Sequence, residues 1–303
     1  AYEIKECDWS SDVCSSDLEA IAEVTGFRDF TARFLRHPSA VIGAVIVILI
    51  LAIALLSPWL APMDYRKTNM AFVWEPPGAR FLFGTDQLGR DILSRLIIGT
   101  RVSLTVAISV LAISIVVGTA AGMAAAWRGG WVESVVMRAA DITFAFPELI
   151  IAILVAAMLG PGIFTTVVAL SLVSWPGIAR ITRSLVLSLR QELFVDAAIA
   201  SGTRPVTILL RHCLPNIVPA LIVRASVGVG FIIMAEATLS FLGIGVQEPL
   251  PSWGGMIRDG LVALRTDPHM AFVSSLALGI AIVGFNLLGD GLRDLLDPRI
   301  RER

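Results

Sequence analysis

Hydrophobic and polar positions fall into long blocks along this chain. Apolar runs of roughly 20 residues, the length that crosses a bilayer as a helix, occupy 40–60, 102–127, 139–159, 163–187, 217–242 and 270–288. The pattern predicts six transmembrane helices in an all-α membrane protein, because a spanning segment must satisfy its own backbone polar groups. Between the runs lie polar or Gly/Pro-punctuated stretches at 61–101, 128–138, 188–216 and 246–269, with 289–303 after the last. Ahead of the first run, residues 19–39 place Phe27, Phe30 and Phe34 beside Arg28, Arg33 and Arg36, the pattern of a helix lying along a membrane surface.

Local signals refine this outline. Gly118 and Gly122 form a small-xxx-small pair in the second run, which lets a neighbouring helix approach closely. Trp175, Pro176 and Gly177 predict a kink in the fourth. In the first long polar stretch, Thr85 or Asp86 is the expected helix cap. By composition alone, Asp86, Arg90, Asp91 and Arg95 read as a solvated amphipathic helix with paired charges. The stretch 246–269, with Pro249, Pro251, Trp253 and Gly254-Gly255, reads as a re-entrant or interfacial segment. Lys and Arg are more numerous in the segments grouped with 188–216 than in those grouped with 61–101, so both termini and 188–216 are expected in the cytosol.

The most distinctive stretch is 188–216. Glu192, Asp196, Ala197 and Ala198 are followed by Gly202, then Arg204 and Pro205, with Leu214 and Pro215 leading into the fifth run. A short helix with methyl-sized side chains and a helix-stopping Gly lets another backbone come close. Asp-Ala-Ala, three residues, Gly, and Leu-Pro further on resemble the EAA loop of the transmembrane subunits of bacterial ABC importers, with Asp196 in place of that family's Glu and His212 at a usually apolar position. The GTD, GRD, SR and SL series within 83–104, and AEATLSFLGIG at 235–245, are similar to the dipeptide/oligopeptide/nickel branch. A generic reading also fits 188–216 taken alone, since any six-span protein needs such a hairpin.

The resemblance, spanning about 39–298, implies a type I permease fold that forms a translocation pathway for peptides, nickel or related solutes. It also implies a second related permease subunit, two ATP-binding subunits that hold the ATP and Mg, and an extracytoplasmic solute-binding protein, in the inner membrane. In such a protein Glu192, Asp196, Ala197, Ala198, Gly202, Arg204, Leu214 and Pro215 would receive the ATPase motion. Asp86, Arg90, Asp91, Arg95, Glu148, Glu236 and Trp253 are candidates for the pathway or for contact with the binding protein.

Composition is consistent with this outline and excludes several chemistries. At 56% hydrophobic and 16% charged, the 303-residue chain is far more apolar than an ordinary soluble domain. A formal net charge of −1 argues against nucleic acid as a partner. There is no phosphate-cradling GxxxxGK[ST], HExxH, CxxC or GxSxG, so no ATPase or hydrolase site, and no cofactor or metal site, is expected in this chain. Asp141, Glu148 and Glu236 stand without basic neighbours in sequence, and Glu236 reads equally as pathway lining or as a helix–helix hydrogen bond. The alternative function is an ion-gradient-driven secondary transporter, which calls for carboxylates paired on facing helices and inverted repeats. Neither pattern is visible.

Residues 1–18 are expected to be foreign sequence or a disordered tail. Asp8 to Leu18, DWSSDVCSSDL, is what a common sequencing-adapter oligonucleotide encodes when read in frame. Resequencing the gene from chromosomal DNA is expected to show those codons absent; finding them intact would restore them to the protein.

Overall fold

The computed structural model describes residues 27–296, and the tail at 1–18 lies outside them. Among the described residues every regular element is helical, and the one isolated antiparallel bridge joins Thr85 to Asp91. Helix α1 (Phe27–Arg36) meets α2 (Pro38–Leu60), and a single 3-10 turn (Met70–Phe72) interrupts the long connection to α3 (Ile92–Arg128). Next come α4 (Gly130–Ala145), α5 (Glu148–Leu159) and α6 (Ile163–Leu189). A hairpin holds α7 (Leu193–Ala200), α8 (Pro205–Ile208) and a π-helical turn (Leu209–Cys213). The long α9 (Leu214–Phe241), the short α10 (Trp253–Leu261) and α11 (His269–Leu296) complete the chain.

Among the described residues five helices are long and apolar enough to cross a membrane, and α4 with α5 makes a sixth span if that bent pair is counted as one. The third span therefore differs from the single run expected at 139–159. Its helix begins at Gly130, inside the expected loop 128–138, and breaks between Ala145 and Glu148 with a bend of 93°. Pro147 is the physical reason. It has no N–H to continue the ladder, and the residue before a proline is pushed out of the helical region. Phe146 accordingly sits at φ −109°, ψ 148°.

Two of the other boundaries move well outward. Helix α3 starts ten residues before the apolar run because Asp91, rather than Thr85 or Asp86, is its cap, accepting from the Ser94 N–H at 2.8 Å. Helix α11 continues eight residues beyond the run ending at 288. Its last described turn lies near the start of α2, where His37 Nε2 is 3.3 Å from Asp294.

Two cores result. The larger joins α2, α3, α6, α9, α10 and α11 through Val47, Val106, Leu170, Ile233, Leu239, Trp253 and Phe285. The smaller gathers Ala126, Ile178, Val186, Val195, Ile208, Cys213 and Ile217 at the end of the bundle that carries α7. Helices α3 and α6 run side by side along their length. Gly118 and Gly122 permit the contact, because an added Cβ would lie 2.7 Å from Trp175 O and 2.5 Å from Ala179 O respectively.

Gly122→Val therefore forces two backbones apart and is expected to cost on the order of 1–3 kcal/mol. Gly279→Ala, at a position where a Cβ meets nothing within 4 Å, is the neutral control. Thermal unfolding of both variants in detergent checks this, and equal midpoints would remove the α3–α6 contact as the limiting one.

Candidate functional site

The hairpin between α6 and α9 is built from a few fixed points. The Arg190 guanidinium closes α6 against the end of α3, donating from Nη1 to Ala126 O at 2.7 Å and lying 5.1 Å from the centre of the Trp127 ring. Val195 is fully buried in the smaller core and anchors the inner face of α7, with Ala198 packed partly against the same core. At the other end of α7, Gly202 N–H donates to Ile199 O at 2.9 Å and Thr203 N–H to Ala198 O at 3.1 Å. This is a Schellman stop, and Gly202 supplies its left-handed residue at φ +72°.

Of the residues assigned to coupling by resemblance, Glu192, Asp196, Ala197, Gly202, Arg204 and Pro215 lie exposed on this hairpin, whereas Ala198 and Leu214 are half-buried. Leu193 is 85% and Val206 65% exposed beside them, and Phe194 and Ile199 are also exposed. The hairpin thus presents apolar surface around two small residues. These four apolar neighbours carry no mark in the sequence, because a hydrophobic residue in an apolar chain gives no signal of its own.

At the opposite end of the bundle, Asp86, Arg90, Asp91 and Arg95 are all buried, and the segment 86–91 is not helical. The solvated amphipathic helix expected there is replaced by a polar knot. Asp86 Oδ1 accepts from the Leu88 and Arg90 N–H groups at 2.9 Å each, and its Oδ2 accepts from Arg90 Nε at 2.6 Å. The knot closes on Glu248, from the loop before α10, which accepts from Arg90 Nη1 at 2.5 Å and Arg95 Nη2 at 2.8 Å. Of this group only Glu248 keeps much exposure, with 45% of its side chain accessible. Nothing in sequence marks Glu248, since its partners lie more than 150 residues earlier. Trp253 is 2% exposed and packs in the larger core.

The remaining carboxylates divide. Asp141 pairs with Arg180, and Glu133 with Arg183, whose Nε donates at 2.8 Å. Asp141 is therefore not isolated, since its basic partner is 39 residues away on α6. Glu236 is fully buried and accepts from Ser240 Oγ at 2.7 Å on the same helix. Glu148 and Glu236 are not brought together with the coupling residues or with the polar knot.

Burial pulls the Glu248 carboxyl upward, but the hydrogen bond from Arg90 and the charge of Arg95 outweigh it and hold it below the usual carboxylate range. For the Arg90 guanidinium, burial works downward, and the bond to Glu248 with the nearby Asp86 charge reverses this and raises it. A depressed carboxylate stabilises the fold above its unfolded pKa, about 4.3 for Glu, and loses that contribution as pH falls through the folded value. Glu248→Gln is expected to lower the thermal midpoint at neutral pH, with the gap to wild type closing below pH about 4. A gap independent of pH would remove the charge from the explanation.

Comparison with known proteins gives a coherent picture. Residues 114–302 match the family described as binding-protein-dependent transport system inner membrane component, and residues 25–77 match the N-terminal TM domain of oligopeptide transport permease C. The chain is 40% identical over 283 residues to the glutathione transport system permease protein GsiD of Pectobacterium atrosepticum, covering 91% of this chain and 92% of that one. It is 38% identical, with the same coverage, to the proteins of that name from Escherichia coli O6:K15:H31 and Shigella boydii serotype 4. With several apolar helices, an all-α bundle and these matches along its length, the chain belongs to the inner-membrane permease family of binding-protein-dependent ABC importers, in its peptide-transport branch.

Proposed function

We propose that this permease subunit carries peptides, with glutathione-like tripeptides the leading cargo, and that α7 is the element through which ATP-driven motion enters it. Two ATP-binding subunits, holding ATP and Mg, would dock on the α7 knuckle from the cytosol. A second related permease would complete the pathway in the membrane, and an extracytoplasmic solute-binding protein would deliver cargo at the end bearing Glu248. The cargo reading is supported by the relatives, which are named as glutathione permeases at 38–40% identity.

The single observation that carries the coupling reading is the construction of α7. Val195 ties the helix to α6 and α9 through the smaller core and the Schellman stop fixes its end, while Leu193, Phe194, Ala197 and Ile199 remain exposed. A short helix held rigidly at both ends transmits a push to the two long helices it joins, and exposed apolar surface around small residues is what a docking partner covers. Nickel is the weaker cargo reading, since no relative named above is a nickel permease.

Gly202 separates docking from folding. A Cβ there meets nothing within 4 Å in this chain, so beyond the strain of the left-handed backbone, about 1–2 kcal/mol for a non-Gly residue, a large side chain obstructs only a partner. Asn tolerates the left-handed conformation, so Gly202→Asn is expected to retain ATP-dependent uptake in reconstituted vesicles to within about threefold. Gly202→Trp is expected to insert normally, to lose uptake by more than about tenfold, and to release the ATP-binding subunits. Normal uptake in the Gly202→Trp variant would remove α7 from the coupling role.

A further inference from the structure

Several charged groups on the spans, Arg101, Arg138, Glu148, Arg224 and Glu236 among them, take part in no ion pair among the described residues, and two of these share one cavity. Arg224 of α9 and Glu148, the first residue of α5, line the same cavity together with Phe144, Ser174, Gly177 and Gly228. Neither takes part in an ion pair among the described residues, whereas Arg180 and Arg183 on α6 are paired with Asp141 and Glu133. The two ends of the Arg224 guanidinium lie against bare backbone. A Cβ added at Gly177 would be 3.6 Å from Nη2, and one added at Gly228 would be 3.6 Å from Nη1. The 93° break at Pro147 brings Phe144 and Glu148 into this cavity from the two halves of one span. Arg180 stacks 4.5 Å from the centre of the Phe144 ring, which also lines the cavity that holds Arg224.

An unpaired charge on a spanning helix is costly unless it faces a cavity where water or a ligand meets it; Glu148 is half-buried and Arg224 exposed at this one. One cation and one anion held in one cavity without touching each other are complementary to a ligand that carries both signs. We infer that Arg224 and Glu148 form a transit subsite for a zwitterionic peptide, Arg224 receiving a carboxylate and Glu148 an ammonium group. A guanidinium presents a planar fork that matches a carboxylate through two parallel hydrogen bonds. Gly177 and Gly228 leave that fork uncovered. The inference rests on the peptide reading above and adds to it two residues of this chain that read the charged ends of the cargo.

The test replaces Arg224 by Cys in a chain whose Cys7 and Cys14 are Ser; Cys213 is buried and stays. The variant is reconstituted with its partner permease, ATP-binding subunits and binding protein. The probe is S-methylglutathione, a tripeptide with both charged ends and no thiol to exchange. Uptake in Arg224→Cys is expected to fall by about tenfold, as for loss of one charged hydrogen-bonded contact. Modification with 2-aminoethyl methanethiosulfonate restores a cation and recovers uptake; the 2-sulfonatoethyl reagent adds an anion and does not. Glu148→Gln also lowers uptake, and Glu148→Asp retains more of it. Undiminished uptake in Arg224→Cys, equal effects of the two reagents, or loss of the partner permease from the purified variant overturns the subsite alone. Failure of the parent complex to take up the probe overturns the peptide reading and the subsite together.

Discussion

The backbone contact between α3 and α6 is the constraint on which the rest of the structure depends. Lipid gives helices no hydrophobic reason to associate, so close packing has to come from small residues that let main chains approach. Gly118 and Gly122 supply that approach between two long walls of the bundle. One end of the pair is closed by Arg190, which ties the last carbonyls of α3 to the exit of α6 and so sets where α7 can stand. Towards the other end, α3 begins at Asp91 within the polar knot of Asp86, Arg90 and Arg95. A displacement of α6 against α3 would be felt at both ends, which is the mechanical property an ATP-driven permease requires.

Charge placement along the bundle follows a common logic. Buried ions are tolerated when the geometry satisfies them, and removing one partner costs more than the pair contributes. The knot at Glu248 and the Asp141–Arg180 and Glu133–Arg183 pairs each join elements distant in sequence, and so specify which elements meet more than they add to stability. Arg224 and Glu148 are among the groups without an ion pair, and they share a cavity whose wall is thinned by two glycines and folded inward by Pro147.

The polar knot also changes how the GTD and GRD segment is understood. Its side chains turn inward and join the α9–α10 loop, leaving Glu248 as the group of that knot with substantial exposure. A binding protein that approaches this end would meet Glu248 and the connecting loops, with Asp86, Arg90 and Arg95 fixing their shape from beneath.

Sequence alone determined the all-α class and the position of the long apolar helices, because a bilayer admits few solutions to backbone satisfaction and each solution needs a long apolar run; that the third run is two helices bent at Pro147 was not determined by it. It also determined the helical hairpin at 188–216, since Gly202 is a local stop signal that acts through its own backbone. The small-residue face in α3 was legible for the same reason, being a spacing within one helix. Tertiary structure decided what each polar group touches: Glu248 with Arg90, Asp141 with Arg180, and Arg224 over Gly177. Such pairings join residues tens to more than a hundred positions apart. They depend on which helices lie side by side, and that is settled by packing rather than by any local pattern of residues.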